Sequence, residues 1–186
     1  KKIPRKEVEW YINYIKKKSY KIDQTIQIKG AGSYRIGKKD LGDIDIIIYK
    51  KKYTNKNIFI NNFLNNIKEV IISVISKGQN KCMLLVKIPN NISYYKPHKV
   101  RHMDLIFIKT SELPWYLLYF GSNVIFSKKI REYASKLGYK LNEKGLYNKK
   151  TLQRINFNPT SEKEIFNYLN IKYIKPKNRL KLNKIK

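Results

Sequence analysis

Cysteine is all but absent: Cys82 stands alone among 186 residues, which excludes a disulfide framework and a cysteine-rich zinc cluster. Met83, Leu84, Leu85 and Val86 follow it, company that suits a small buried hydrophobe rather than a reactive thiol. Long apolar runs are missing too. Nothing approaches the roughly 20 consecutive apolar residues of a membrane span, and no secretory hydrophobic segment opens the chain. The start, Lys1-Lys2-Ile3-Pro4, lacks Met, so further residues are expected upstream. Negative charge is scarce as well. Against 41 Lys and Arg stand 13 Asp and Glu, a formal net charge of +28. A disordered chain would lack hydrophobic residues; here they make up 42%, with 13% aromatic, enough for one domain or two small lobes.

Such a surface repels itself and needs polyanions beside it, nucleic acid first and an anionic membrane second. Lys, Asn, Ile and Tyr are also what an A/T-rich genome over-uses. That bias does not explain where the few acids gather. Only five are aspartates: Asp23, Asp40, Asp43, Asp45 and Asp104.

Residues 30 to 49 organise the chain. A glycine-rich turn, Gly30-Ala31-Gly32-Ser33, leads into Asp43-Ile44-Asp45 at the head of an apolar run. Strand side chains alternate with period two, so Asp43 and Asp45 point to one side and Ile44, Ile46 and Ile48 to the other. Adjacent, partly buried carboxylates repel unless a cation sits between them, and a hard divalent ion prefers oxygen ligands. Asp104 lies inside a second such run, from His102 to Ile108. Three carboxylates from two strands are what a two-metal site for phosphoryl transfer requires. Gly32 and Ser33 offer close backbone approach, free N–H groups and a hydroxyl to phosphates, and Arg35 and Lys38 add charge-assisted contacts.

Apolar spacing predicts a helix over 5–18, strands over 25–31 and 43–49, and a helix over 58–75 stopped at Lys77-Gly78. A strand over 82–88 and a turn at Pro89-Asn90-Asn91 follow; a basic stretch from Lys96 to His102 then feeds the Asp104 strand. These elements read as a small mixed sheet with helices on one face and the aspartates on the other. After Thr110 come an aromatic-rich segment over 114–120, an amphipathic helix over 125–137 and a short strand over 141–147. Ser161-x-x-Glu164 is a capping box opening a helix to Leu169, and the basic tail Lys175 to Arg179 is expected to be loosely held. A boundary near 109–113 divides the α+β chain into residues 1–110 and 111–186.

Gly32-Ser33, Asp43-x-Asp45 and Asp104 together resemble the nucleotidyltransferase superfamily, and within it the family X DNA polymerases, the group of polymerase beta, polymerase lambda and terminal transferase. The likeness covers nearly the whole chain. Lys2-Ile3-Pro4-Arg5 resembles the start of the family's palm, and Arg101-His102-Met103-Asp104 its third-carboxylate strand. Leu118-Tyr119-Phe120, the run Phe126 to Arg131, Leu141-Asn142-Glu143 and the run Tyr173 to Arg179 are similar to later family segments.

The resemblance implies a nucleotidyltransferase palm followed by a small C-terminal α+β nucleotide-binding lobe. It implies that Asp43 and Asp45 bind two Mg2+ ions (Mn2+ substituting), that Asp104 joins them at the catalytic ion, and that Ser33 with Gly32, Arg35 and Lys38 meets the triphosphate. Tyr119, Phe120 and Gly121 would lie by the sugar and Ser127 by the base. Arg101, His102, Lys128 and Arg131 would meet DNA. Three features depart from the family. Ile36 replaces a second arginine, Gly121-Ser122 replaces Thr-Gly, and no lyase or helix-hairpin-helix module precedes residue 1, so these modules were lost or trimmed, or the enzyme is minimal and two-lobed like that of a large DNA virus.

The expected function is template-directed DNA polymerisation that fills short gaps in repair. The expected partners are gapped or nicked duplex and dNTPs, with no membrane, acting as a monomer that other repair proteins assist. The expected location is intracellular, in a nucleus or, for a viral protein, a virion or viral factory. A template-independent or RNA-directed nucleotidyltransferase is the alternative enzyme, and a catalytically silent nucleic-acid-binding relative the alternative class.

Overall fold

The computed structural model describes residues 2–91 and 99–181. The expected basic stretch therefore lies outside the described residues from Lys96 to His98. In chain order the elements are β1 (Ile3–Pro4), α1 (Arg5–Ser19), β2 (Gln27–Gly30), α2 (Gly32–Arg35), β3 (Asp40–Leu41), β4 (Ile44–Lys50), α3 (Lys56–Asn66), β5 (Ile71–Lys77), β6 (Lys81–Val86) and β7 (Arg101–Lys109). There follow α4 (Leu113–Phe120), α5 (Val124–Lys136), β8 (Tyr139–Asn142), β9 (Gly145–Asn148) and α6 (Glu162–Tyr168). They form two units, one of residues 1–30 with 38–110, the other of residues 31–37 with 111–186.

The first unit is built on a five-stranded mixed sheet in the order β2-β4-β7-β6-β5. β4 and β7 run parallel, and the other neighbours are antiparallel. Apolar side chains fix which face is covered. Phe107 packs edge-on against Phe63 of α3 at 5.2 Å and against Phe59 at 6.2 Å, so α3 lies on the face to which Met103, Leu105 and Phe107 point. Cys82, Leu84 and Val86 are buried in the alternating pattern of β6. On β7, Asp104 alternates away from the face α3 covers.

The helix expected over 58–75 stops early. Asn55 caps its start, its side chain accepting from the Ile58 N–H at 3.1 Å. The helix ends at Asn66, a short 3₁₀ turn spans Lys68–Val70, and Ile71–Lys77 is an edge strand. The apolar spacing continued by coincidence through Ile71, Val74 and Ile75. These residues are β-branched, stiff at χ1 and suited to a pleated surface. Gly78 closes a hairpin instead of stopping a helix, its N–H donating to the Lys81 carbonyl at 2.8 Å.

In the second unit, α4, α5 and α6 surround a core that includes Trp115, Phe126, Ile130, Ile165 and Phe166. The strand expected over 141–147 is a hairpin of two strands. The Asn142 side chain accepts from the Lys144 and Gly145 N–H groups at 2.8 and 3.1 Å and turns the chain. The expected cap is present, with Ser161 Oγ accepting from the Glu164 N–H at 3.4 Å. The Glu164 carboxylate reaches one residue further back than a capping box requires, accepting from the N–H and hydroxyl of Thr160 at 2.8 Å each. The tail is anchored rather than loose. Residues Pro176–Lys181 form a 3₁₀ helix, and Arg179 is 1% exposed.

Candidate active site

Two of the five aspartates have local duties. Asp23 accepts from the N–H and hydroxyl of Thr25 at 2.8 and 2.6 Å and pairs with Lys50, whose ammonium does most to hold its carboxyl down at about 2. Asp40 lies in β3 and pairs loosely with Lys2 at 3.9 Å. The other three share one region of the first unit. Asp45 of β4 and Asp104 of β7 are register partners, and in-register residues of parallel strands point to the same face. Asp43 stands exposed, just ahead of β4.

This clustering has an electrostatic cost. Burial, followed by repulsion from Asp104 and Asp43, raises the Asp45 carboxyl to about 6, and Lys81 partly opposes the rise. Lys81, at the start of β6, pairs with Asp104 at 2.5 Å. The three acids form an all-oxygen donor set of the kind hard dications choose, and a cation placed among them would relieve the cost. Among the described residues no three acidic side chains converge tightly enough to enclose an ion as they stand, and Asp104 is turned toward Lys81. The residues fit a divalent ion on condition that Asp104 lets Lys81 go.

The expected phosphate turn is a single helical turn, Gly32–Arg35, in the second unit. Gly32 takes φ 51°, a left-handed value that glycine adopts without a Cβ penalty. Ser33 is partly exposed, and Lys38 exposed. Arg35 turns inward, away from the phosphate role expected of it. Its guanidinium donates to the carbonyls of Leu117 and Gly121 at 3.3 and 3.1 Å and forks onto Glu162. A Cβ on Gly121 would lie 2.4 Å from the Leu117 carbonyl oxygen and 2.8 Å from Arg35 Nη1, so glycine there serves the close turn at the end of α4 as well as the packing of Arg35. Ser122 is likewise committed, its hydroxyl accepting from Arg179 Nη1 at 2.8 Å.

The aromatic segment ends α4 with Tyr119 and Phe120 partly exposed and edge-to-face at 4.8 Å. Arg131 lies over the Tyr119 ring at 5.2 Å and donates to the Ser127 carbonyl at 3.0 Å. Tyr119, Ser127 and Arg131 thus meet on one side of α5, where Ser127 is 6% exposed. Lys128 is open to solvent, within 3.9 Å of Glu132.

His102 is exposed on the face of Asp104, but Arg101 is not available to DNA. Arg101 faces the opposite side, 5% exposed, and donates two hydrogen bonds of 2.7 Å to Glu7 of α1. Odd and even positions of a strand face opposite ways, which separates Arg101 from Asp104.

Sequence reasoning missed Lys81 and the buried cluster around Glu162, which binds both Arg35 and Arg179. Arg179 also lies over Phe126 and Phe166 at 5.0 and 5.3 Å. No sequence signal marked Lys81, because its place beside Asp104 depends on the register of β6 on β7, where Met83, on the same side as Lys81, is the partner of Asp104. Among the described residues no helix is long and apolar enough to cross a membrane.

Comparison with known proteins covers both units. The DNA polymerase beta palm family matches residues 2–110, and the DNA polymerase beta thumb family residues 116–180. The Repair DNA polymerase X of African swine fever virus is 32% identical over 154 residues, 82% of this chain and 81% of that protein. Among solved structures, the Leishmania infantum polymerase beta ternary P/T complex matches with a TM-score of 0.85 at 25% identity, over 96% of this chain and 77% of that one. The ternary gap complex of the same polymerase matches with 0.85 at 24% identity, over 96% and 71%.

Proposed function

The chain belongs to the polymerase beta family of DNA polymerases, family X, and carries both its palm and its thumb; from that premise we propose that it fills short gaps in DNA by adding dNTPs to a primer 3′-hydroxyl. It is a DNA-directed DNA polymerase of the repair type. The observation that carries this reading is the register pairing of Asp45 with Asp104 beside Asp43 in an otherwise cationic chain.

Asp43 and Asp45 would hold two Mg2+ ions, with Mn2+ as a substitute, and Asp104 would share the ion at the hydroxyl. When bound, the ions supply activation of the attacking hydroxyl and charge neutralisation at the departing pyrophosphate. The chain's own groups do the positioning. Ser33 offers its N–H and hydroxyl to the β/γ-phosphates, with Gly32 allowing close backbone approach and Lys38 adding charge. Arg35, held by Glu162, braces the turn from behind rather than touching phosphate. Tyr119, Phe120 and Gly121 form the sugar wall, and Ser127 stands at the base edge. Lys128, Arg131 and His102 meet the DNA backbone and grooves. The whole-chain charge of +28 supplies electrostatic grip on the DNA backbone, with affinity that falls as salt rises.

The kinship with a viral repair polymerase supports work on gapped or nicked duplex within base excision repair, in an infected-cell or nuclear setting. The test is single-nucleotide incorporation on one-nucleotide gapped duplex, each dNTP against each template base. Template-matched incorporation at the gap is expected. Equal extension of single strands would instead favour template-independent transfer.

A further inference from the structure

The acids of the palm already hold a cation of the protein's own. Lys81 Nζ lies 2.5 Å from Asp104 Oδ2. Its backbone position explains the reach. Met83 is the register partner of Asp104, and Lys81, two residues earlier on β6, points to the same face. Among the described residues Lys81 is the one cation bonded to Asp43, Asp45 or Asp104. The pair is also asymmetric. The Lys81 side chain is 40% exposed and that of Asp104 is 21%, so the ammonium can withdraw into water, which hydrates it, and leave the Asp104 carboxylate free to turn toward Asp45.

We propose that Lys81 is a resident counter-ion that occupies the cation position at Asp104 and must be displaced before a divalent ion binds there, which sets the site's metal affinity. This rests on the polymerase reading above. The ammonium partly offsets the repulsion among the three carboxylates and competes with a dication for the same Asp104 oxygen. A positive charge within a few ångströms opposes the entry of another, and partial exposure weakens that opposition without removing it. Lys81 is a positioning residue here, acting through Asp104, and its role differs from that of an ordinary surface ion pair, which would leave metal affinity unchanged.

The test is Mn2+ binding to the full chain without DNA or nucleotide, read from the electron paramagnetic resonance signal of free Mn2+, with MnCl2 as the probe. Lys81→Gln is expected to bind its first Mn2+ about tenfold more tightly than wild type, and Lys81→Arg, which keeps the charge, close to wild type. Lys81→Gln should also show the larger rise in melting temperature on adding Mn2+. Equal or weaker binding by Lys81→Gln, or no binding by either protein, overturns the proposal. Asp45→Asn distinguishes the two levels of the argument. If it abolishes Mn2+ binding while Lys81→Gln has no effect, only the counter-ion role fails; if it binds Mn2+ like wild type, the metal-site reading fails with it.

Discussion

Asp45 and Asp104 face one another across the parallel seam between β4 and β7, each the register partner of the other. Flanked by Ile44, Ile46, Met103 and Leu105, all with 0% exposure, the pair is held on a rigid part of the sheet. Two like charges set side by side in a well-packed strand pair destabilise the fold, so their cost is itself measurable.

Asp45 carries that cost in its proton affinity. Its carboxyl sits at about 6 in the folded chain against 3.8 for an ordinary aspartate. The folded protein keeps a proton that the unfolded chain sheds, so the favourable contribution is complete below the lower value and is lost as pH rises through the higher one. Asp45→Asn should therefore be more stable than wild type near pH 8, by up to about 3 kcal/mol, and indistinguishable near pH 3. Urea unfolding at the two pH values checks this.

Arg101 answers to a different force. Its partner Glu7 is 1% exposed and would be left as a buried unpaired charge. Arg101→Ala should cost about 3–5 kcal/mol in chemical denaturation. His102→Ala, at an exposed neighbouring position, should stay within about 0.5 kcal/mol.

Glu162 neutralises two arginines at once, and the Arg179 side chain is 0% exposed. Glu162→Gln should destabilise the second unit by about 3 kcal/mol. In a double-mutant cycle with Arg35→Ala the effects should be non-additive by about 1–3 kcal/mol, because the second change removes a charge the first has orphaned. Thermal melts of the four proteins measure the coupling.

Lys128, by contrast, is open to solvent with a side chain 72% exposed. As a phosphate contact it would release about one counterion on binding. Lys128→Ala should lower the slope of log affinity against log salt by about 1 and weaken binding alike for gapped duplexes of different sequence. Fluorescence anisotropy across a salt series reads both.

Much of the site was legible in the chain because its signals are local. Asp43-x-Asp45 and the glycine–serine turn need only spacing, and Asp104 stands out as a carboxylate in an apolar strand. The parallel pairing that unites them is not local, and nothing in either strand names the other. The strand at Ile71–Lys77 was hidden because its apolar residues also satisfied a helical period, and β-branching was the better guide. The family resemblance alone put Arg101 at DNA, although strand alternation already set it opposite Asp104. Arg35, Glu162 and Arg179 come from three distant segments, and no pattern within any one of them marks the ion cluster they form.

Single-turnover incorporation of one matched dNTP into one-nucleotide gapped DNA with Mg2+, comparing wild type with Asp104→Asn, tests the central claim most directly. The register-paired acids as the metal clamp predict a loss of at least about 1000-fold in rate, equivalent to roughly 4 kcal/mol, with the circular dichroism spectrum unchanged. Incorporation by a folded Asp104→Asn protein at the wild-type rate would contradict it.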